Sequence, residues 1–455
     1  MERGYESIWF LKQPPKAVVI KALLFVIYAV SLCFAYIRIL SPMYSYALLT
    51  YKPNFVKLII SIGLSLIAIL LVPADKNKPS TYLYYIYFTV CYIPTVNYYW
   101  LNDQPTRYIV YVTICFLLIS LMLRIKIKAV RIGMISASVA LQILLVVLVV
   151  LCVYLVYKNR GIHLSALISD LYGVRSENNT SGLLGYALNW CAKSFIPLFL
   201  AYFLLRRQWI GVAFVSVLQI ILFLSFGFKA FLMSILLIIG VSILMIKPNN
   251  FKEKWLLVLA AGNIGGVGLA KGISTQPIFL FTYRTLFVPS QGQFEYYDYF
   301  THHNYLFFSE GKIGRLLGFQ YPYNETIGRV VNHYIYGPSK NSNGNTGALS
   351  YGFADLGVWG MILAAIIIAL ILLAIDASTD KLPILIPVAA MSYAMITLND
   401  VNVLICLNSG GIIWSIILLN LLNTVFRYDP RLESGTERRK RRKVLLMIPE
   451  RHFYA

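Results

Sequence analysis

Residues 132–156 read IGMISASVALQILLVVLVVLCVYLV and contain no charged side chain. A helix of about 20 such residues is long enough to cross the hydrocarbon core of a bilayer. Apolar runs of this kind recur along the whole chain, in which 58% of the 455 residues are hydrophobic and 13% are charged. A soluble domain carries roughly a quarter charged residues. The chain therefore has too few polar side chains to cover a water-soluble protein.

The other apolar runs extend this pattern to an all-α fold, a polytopic integral membrane bundle of about twelve transmembrane helices. The predicted spans are 18–40, 56–72, 81–97, 108–123, 132–156, 184–204, 209–226, 229–246, 254–271, 350–375, 382–398 and 403–425. Pro94 interrupts the third span, and Asp400 lies between the last two. A tight hairpin at 226–229 is expected to join the seventh span to the eighth.

The basic residues predict the orientation of these spans. The chain has 40 Lys and Arg against 19 Asp and Glu, which gives a formal net charge of +21. Because the basic residues are scattered over short loops, the positive-inside rule and anionic lipids explain them better than nucleic acid does. Both termini are then cytoplasmic. Residues 1–425 form one transmembrane domain, and residues 426–455 form a basic cytoplasmic tail.

Two long segments lie on the opposite, outer side in this topology, namely 157–183 and the large extracytoplasmic loop 273–350. Loops of that length are usually functional. The chain contains no Walker A sequence, no HExxH and no CxxC. These absences argue against an ATP-driven pump and against a metal site, and no cofactor is expected.

One stretch of the large loop, 324–336, contains no proline and is predicted to be helical. Glu325, Arg329, His333 and Tyr336 would then share one face, at spacings of four, four and three residues. An arginine beside a histidine on such a face is a candidate site. An ordinary surface ion pair between Glu325 and Arg329 is the structural alternative.

Charged residues outside this stretch are further candidates. Lys193 falls near the middle of the sixth span, where an ionisable group is costly and is functional by default. Lys229, in the outer hairpin, is a second candidate, although it could simply snorkel to the interface. Lys193 could instead pair with a buried carboxylate such as Asp355, which could itself only cap a helix. Arg175 lies in the first outer segment, where a solvated loop charge is the alternative.

Taken together, the chain resembles the Wzy-type oligosaccharide repeat unit polymerases, also called O-antigen or capsular polysaccharide polymerases. The similarity covers most of the chain as architecture, with about a dozen helices and a large outer loop before the last spans. The local resemblances are Tyr172 to Arg175, Lys229, Tyr283-Arg284 through Pro289, Tyr296-Tyr297-Asp298, and Asn343 to Gly347 leading to Ala354-Asp355.

This resemblance implies an enzyme that transfers a glycan chain from undecaprenyl diphosphate to the next lipid-linked repeat. The reaction would take place at the outer face of the bacterial cytoplasmic membrane and would use no metal or other cofactor. Arg284 and Arg329 would stabilise the diphosphate leaving group, and His333 would be the general base. The other candidates for binding diphosphate or glycan are Arg175, Lys193, Lys229, Tyr297, Asp298, His303, Arg315 and Asp355.

The implied partners are the undecaprenyl-diphosphate-linked oligosaccharide and membrane lipids, with a chain-length regulator and a flippase as further candidates, and no nucleic acid. A polysaccharide ligase of related chemistry is the first alternative. A lipid-linked oligosaccharide flippase or secondary transporter is the second, and a non-catalytic scaffold is the third. A transporter would place its polar residues at the midplane of several spans, whereas most of them here lie in the outer loop.

Overall fold

The computed structural model describes residues 15–130, 137–159, 161–163, 182–340, 342–344 and 346–428. Every regular element in these ranges is a helix, which confirms the predicted all-α fold. The α-helices are α1 Pro15–Ala35, α2 Phe55–Leu70, α3 Pro79–Tyr87, α4 Ile93–Leu101, α5 Thr106–Met122, α6 Ala137–Lys158, α7 Leu183–Trp190, α8 Ile196–Arg206, α9 Trp209–Phe226, α10 Lys229–Leu244, α11 Phe251–Gly272, α12 Val288–His302, α13 Lys312–Leu316, α14 Ile327–Tyr336, α15 Ala348–Leu356, α16 Val358–Ser378, α17 Leu385–Thr397, α18 Val403–Leu407 and α19 Ile412–Tyr428. The basic tail lies outside the described residues, apart from its first three positions.

Within the described part of the chain, seven helical stretches are long and apolar enough to cross a membrane, which supports a multi-pass membrane protein. They are Val19–Met43, Val139–Lys158, Leu183–Arg206, Trp209–Phe226, Pro248–Gly272, Val358–Ser378 and Val403–Arg427. Four shorter apolar helices are Phe55–Leu70, Thr106–Met122, Lys229–Leu244 and Leu385–Thr397. Length and composition thus support seven of the predicted spans directly, rather than twelve.

The third predicted span differs from the others because it is rich in tyrosine. All side chains from Pro79 to Leu101 are buried, and several tyrosine hydroxyls in this stretch donate hydrogen bonds to other parts of the chain, whereas Tyr87 Oη has no partner among the described residues. Tyr84 Oη, for example, donates to the carbonyl of Phe116 at 3.1 Å. Polar groups inside a membrane protein must find partners within the protein, so a helix with this composition has to lie at the centre of the bundle.

Two glycines decide where helices end. Gly227 has φ +69° and closes α9, so that Lys229 begins α10 two residues later and the predicted tight hairpin is confirmed. Gly357 has φ +60° and divides the predicted span 350–375 into α15 and α16. Glycine adopts this left-handed conformation without the steric cost that a Cβ atom would add.

The predicted large outer loop, residues 273–350, contains several helices, and its description as a loop is not confirmed. A π-helical segment, Phe279–Phe287, continues directly into α12, and α13 and α14 follow. The predicted helix in 324–336 is confirmed as α14. An apolar helical periodicity is hard to recognise in the sequence of α12, because this helix buries tyrosines and glutamines rather than aliphatic side chains.

Candidate functional site

Four segments within the described ranges are π-helical. They are π1 Tyr36–Leu40, π2 Phe88–Tyr92, π3 Cys191–Phe195 and π4 Phe279–Phe287. Each is followed, after one residue, by a proline: Pro42, Pro94, Pro197 and Pro289. Proline has no amide hydrogen, so the carbonyl four residues before it loses its helical partner. Pi-helical turns of this kind are often found at functional sites.

The side chain of Asn399 donates hydrogen bonds to two of the carbonyls that lack a helical partner. Its Nδ2 donates to the carbonyl of Val90, four residues before Pro94, at 3.4 Å. The same atom donates to the carbonyl of Thr285, four residues before Pro289, at 3.2 Å. The turn after α17 is therefore tied to π2 and to π4 at once.

The next residue, Asp400, is within electrostatic range of two cations. Arg284 of π4 and Lys193 of π3 both act electrostatically on its carboxylate. Burial raises the pKa of Asp400 to about 6, and the two positive charges oppose this shift. Asp400 rather than Asp355 is therefore the carboxylate that acts electrostatically on Lys193, which corrects the predicted pairing. We call Lys193, Arg284 and Asp400 the cationic cluster.

Hydrogen bonds hold π3 against the turn that follows α18. Ser194 Oγ donates to the carbonyl of Gly411 at 2.7 Å, and Trp190 Nε1 donates to the carbonyl of Asn408 at 3.0 Å. Lys193, next to Ser194, is half-buried, whereas Arg284 is exposed. The cationic cluster thus has one cation within the bundle and one at its surface.

A second group of polar residues lies on α14 and is called here the histidine face: Glu325, Arg329 and His333. Glu325 Oε2 lies 3.3 Å from His333 Nδ1, and Glu325 Oε1 lies 3.7 Å from Arg329 Nη1. Both His333 Nε2 and Arg329 Nε are buried atoms that have no hydrogen-bond partner within the part of the chain that is described. The predicted arrangement of these three residues is confirmed, and one ring nitrogen of His333 is buried without a partner among the described residues.

Tyr336 does not join the histidine face. Its hydroxyl donates to Glu295 Oε1 at 2.5 Å and accepts from Gln291 Nε2 at 2.8 Å, so it connects α14 with α12. Burial raises the pKa of Glu295 to about 7, while the hydrogen bonds from Tyr336 and Gln291 lower it. No pattern in the sequence identifies Glu295, which lies among aromatic residues without a recognisable spacing.

Asp355 and Arg315, two predicted binding residues, make contacts within the protein. Asp355 Oδ1 accepts from the amide of Phe308 at 3.0 Å, and burial raises the pKa of Asp355 to about 7. Arg315 is exposed, and its guanidinium donates to the carbonyls of Glu310 and Gly311 at 3.2 and 3.3 Å. Both residues stabilise the chain between α12 and α14.

The remaining predicted residues are dispersed. The ring of Tyr297 is buried and lies 5.0 Å from the rings of both Tyr108 and Phe353, whereas Asp298 is exposed. His303 stacks on Tyr299 with ring centroids 4.0 Å apart. Lys229 is half-buried at the start of α10, and Arg175 lies outside the described residues.

The two groups offer different chemistry. The cationic cluster can hold an anion, and the histidine face can accept a proton at a fixed ring nitrogen. Among the residues described, no hydrogen bond or ion pair joins Arg284 to Arg329; α12 links the two groups by continuing π4 and by contacting α14 through Tyr336. No group of three or more His, Cys, Asp or Glu side chains in the same ranges could hold a metal ion.

Asp400 is the functional candidate that sequence reasoning came closest to finding. It is the only acidic residue between Lys381 and Tyr428 in the sequence. The prolines that follow the π-helical segments are a second feature of the sequence that could have indicated the candidate site. No protein-family model, no curated protein and no solved structure matches the chain.

Proposed function

We propose that this chain is a multi-pass membrane glycosyltransferase that polymerises lipid-linked oligosaccharide repeat units. It would transfer the growing glycan from undecaprenyl diphosphate to the next lipid-linked repeat, at the outer face of the bacterial cytoplasmic membrane. The observation that carries the proposal is that Asn399, next to Asp400, donates to the carbonyl of Thr285, next to Arg284, at 3.2 Å, and that Arg284 and Lys193 both act electrostatically on Asp400. Arg284 lies in the predicted outer segment 273–350 and Asp400 in the short connection between the last two predicted spans, whereas Lys193 lies near the middle of the sixth.

The cationic cluster suits a lipid diphosphate. Two cations and one carboxylate leave a net positive charge, and a guanidinium can bind phosphate oxygens through two parallel hydrogen bonds. Arg284 is exposed and can reach a ligand from outside the bundle, while Lys193 supplies charge from within it. Asp400 would hold the two cations in position before the substrate arrives.

The histidine face suits the acceptor sugar. The bond between the acceptor hydroxyl oxygen and the anomeric carbon forms as the bond from that carbon to the diphosphate breaks. The hydroxyl proton goes to His333 Nε2, and the lipid diphosphate leaves as an anion. Glu325 beside Nδ1 holds the ring so that Nε2 is the free nitrogen. Arg329 adds positive charge near the departing phosphate.

The chemistry of the leaving group explains the choice of residues. A lipid diphosphate leaves readily once its negative charge is stabilised, so charge matters more than proton donation. Positively charged side chains aimed at developing charge are typically worth about 10²–10³ in rate. The proposed reaction needs no cofactor, because arginine and lysine supply this charge directly.

Purified chain in liposomes with a lipid-linked repeat tests the proposal. Wild-type protein should make a ladder of polymers, and Arg284→Ala should leave single repeats. Arg206→Ala, at the exposed end of α8 on the predicted cytoplasmic side, is the matched control and should make the normal ladder. An unchanged ladder from both Arg284→Ala and Arg329→Ala would refute the proposal.

The same variants in cells separate the alternatives. The polymerase proposal predicts that surface polysaccharide falls to a single repeat on a gel while transport continues. Loss of all surface sugar would support the flippase or transporter alternative. Normal polymer that is no longer attached to its final acceptor would support the ligase.

A further inference from the structure

The segment between α12 and α14 exposes large apolar side chains. Phe307, Leu316, Leu317 and Phe319 are 41%, 88%, 65% and 43% exposed, and we call these four the apolar patch. The rings of Phe307 and Phe319 stack with their centroids 5.2 Å apart. Single exposed apolar residues are normal on a protein surface, but several in one compact segment mark an interaction site.

This segment is tightly folded. The amide of Gly314 donates to the carbonyl of Phe308 at 3.1 Å, and the amide of Phe319 donates to the carbonyl of Gly314 at 2.9 Å. Phe307 and Phe308 both have positive φ, at +52° and +61°. The exposure of the apolar patch is therefore a property of an ordered turn.

The same segment is attached next to a membrane span. The amides of Leu306 and Phe307 donate to the carbonyls of Ala354 and Asp355 at 2.9 and 3.0 Å. Asp355 is near the end of α15, and α16, one of the seven candidate membrane spans, begins at Val358. The depth of the segment in the membrane is thus set by the start of this span.

Trp359, the second residue of α16, is 76% exposed. Tryptophan is enriched where the apolar core of a bilayer meets the headgroups. The segment that carries the apolar patch is bonded to the backbone of Ala354 and Asp355, only a few residues before this tryptophan. Lys312 and Arg315, both exposed, add positive charge within the same segment.

We propose that residues 305–319 insert their apolar patch into the boundary between headgroups and acyl chains of the bilayer. The occupant of this surface is the lipid membrane itself, rather than another protein. Large apolar side chains next to lysine and arginine are the composition of segments that lie in the membrane interface. Anionic lipids would strengthen the contact through Lys312 and Arg315.

The insertion has a consequence for the histidine face. Glu310, in the same segment, accepts a hydrogen bond from the amide of Ile327 at 3.1 Å and so caps α14. The membrane contact would therefore hold His333 at the level of the lipid headgroups, where a lipid diphosphate lies. This consequence rests on the proposed function, but the insertion itself does not.

Spin labels on the full chain in liposomes test the insertion. Leu316→Cys and Leu317→Cys receive the label, and Ser339→Cys, in an exposed polar turn, is the control. Five of the six native cysteines are buried and Cys33 is half-buried, so labelled wild-type protein provides the background. Collision with oxygen, which concentrates in lipid, is compared with collision with a water-soluble nickel complex.

We expect both patch labels to favour oxygen severalfold over the nickel complex, and the control label to show the reverse. Patch labels as accessible to nickel as the control would overturn the inference. Labels shielded from both reagents would also overturn it, because a protein partner would then cover the patch. The measurement does not depend on enzymatic activity. If the labels are inserted but the chain makes no polymer, only the proposed function is refuted and the membrane insertion stands.

Discussion

The histidine face and the cationic cluster each bring three polar side chains together, but by different routes. The histidine face consists of residues 325–333, spaced so that one short helix presents them on one side. The cationic cluster joins residues 193, 284 and 400, which come from three separate parts of the chain. Helical spacing makes the first group visible in a sequence, whereas only the packing of helices creates the second.

The two regions also differ in how their charges are held. The histidine face is half-exposed, and ion pairs there contribute little to stability, about 0–1 kcal/mol. The cationic cluster is partly buried and is attached to the backbone through Asn399, so its charges interact more strongly. Changes in the histidine face should therefore affect activity alone, while changes around the cationic cluster should affect folding as well.

The largest effect should come from His333→Ala. Loss of a general base lowers a reaction rate by about 10²–10⁴-fold, and we expect polymer formation in liposomes to fall within that range. The thermal unfolding temperature should stay close to that of the wild type. His302→Ala is a suitable control, because His302 is exposed and its Nδ1 already contacts the carbonyl of Asp298. Full activity in the His333 variant would remove the histidine face from the mechanism.

Asn399→Leu should show that the cationic cluster depends on tertiary structure. The substitution leaves the carbonyls of Val90 and Thr285 without their donor, which should cost about 1–3 kcal/mol of unfolding free energy. Polymer formation should fall as well, because Asp400 and Arg284 lose their common support. Denaturant titration in detergent measures the first effect. Asn304→Leu, at an exposed position, is the control, and equal stability of the two variants would contradict the role of Asn399.

Glu325→Gln should show whether Glu325 orients the His333 ring or only stabilises the fold. Without the carboxylate beside Nδ1, His333 loses its preferred orientation, and we expect polymer formation to fall about tenfold, in the range seen when partners that orient a functional histidine are lost. Stability should change by less than about 0.5 kcal/mol. Glu325→Asp should recover part of the rate if the charge is what matters. An equal loss in both variants, accompanied by unfolding, would show a structural role instead.

Glu295→Gln should have the smallest effect on polymer formation, and its effect on stability should depend on pH. Burial raises the pKa of Glu295 in the folded protein to about 7 from an ordinary value of 4.5. Between these values the folded state holds a proton that the unfolded chain has lost, so stability falls as the pH rises through this window. The glutamine variant cannot ionise. At about 1.4 kcal/mol per unit of pKa difference, its stability relative to the wild type should rise by about 2–3 kcal/mol between pH 5 and pH 8.

Thermal unfolding of both proteins across that pH range measures the difference. Because Asp355 also has a raised pKa, the comparison is made between variant and wild type rather than along one curve. A constant difference at all pH values would show that Glu295 does not titrate in this window.

Several features of the fold follow from local patterns. Long apolar runs require helices, because only hydrogen bonds within the chain can satisfy the backbone in lipid. The hairpin before Lys229 and the helix over 327–336 were predicted for similar reasons. The helix α12 was not predicted, since it buries tyrosine and glutamine and so does not display an apolar stripe.

The prolines show where the information in the sequence ends and the tertiary structure decides. Pro94 and Pro289 by themselves determine that the carbonyls of Val90 and Thr285 lack helical partners, because proline has no amide hydrogen. Only the tertiary structure decided that Asn399 would supply both partners and place Asp400 within electrostatic range of Arg284 and Lys193. A local rule can leave a hydrogen-bond acceptor vacant, but the residue that fills it comes from whichever distant helix packs there.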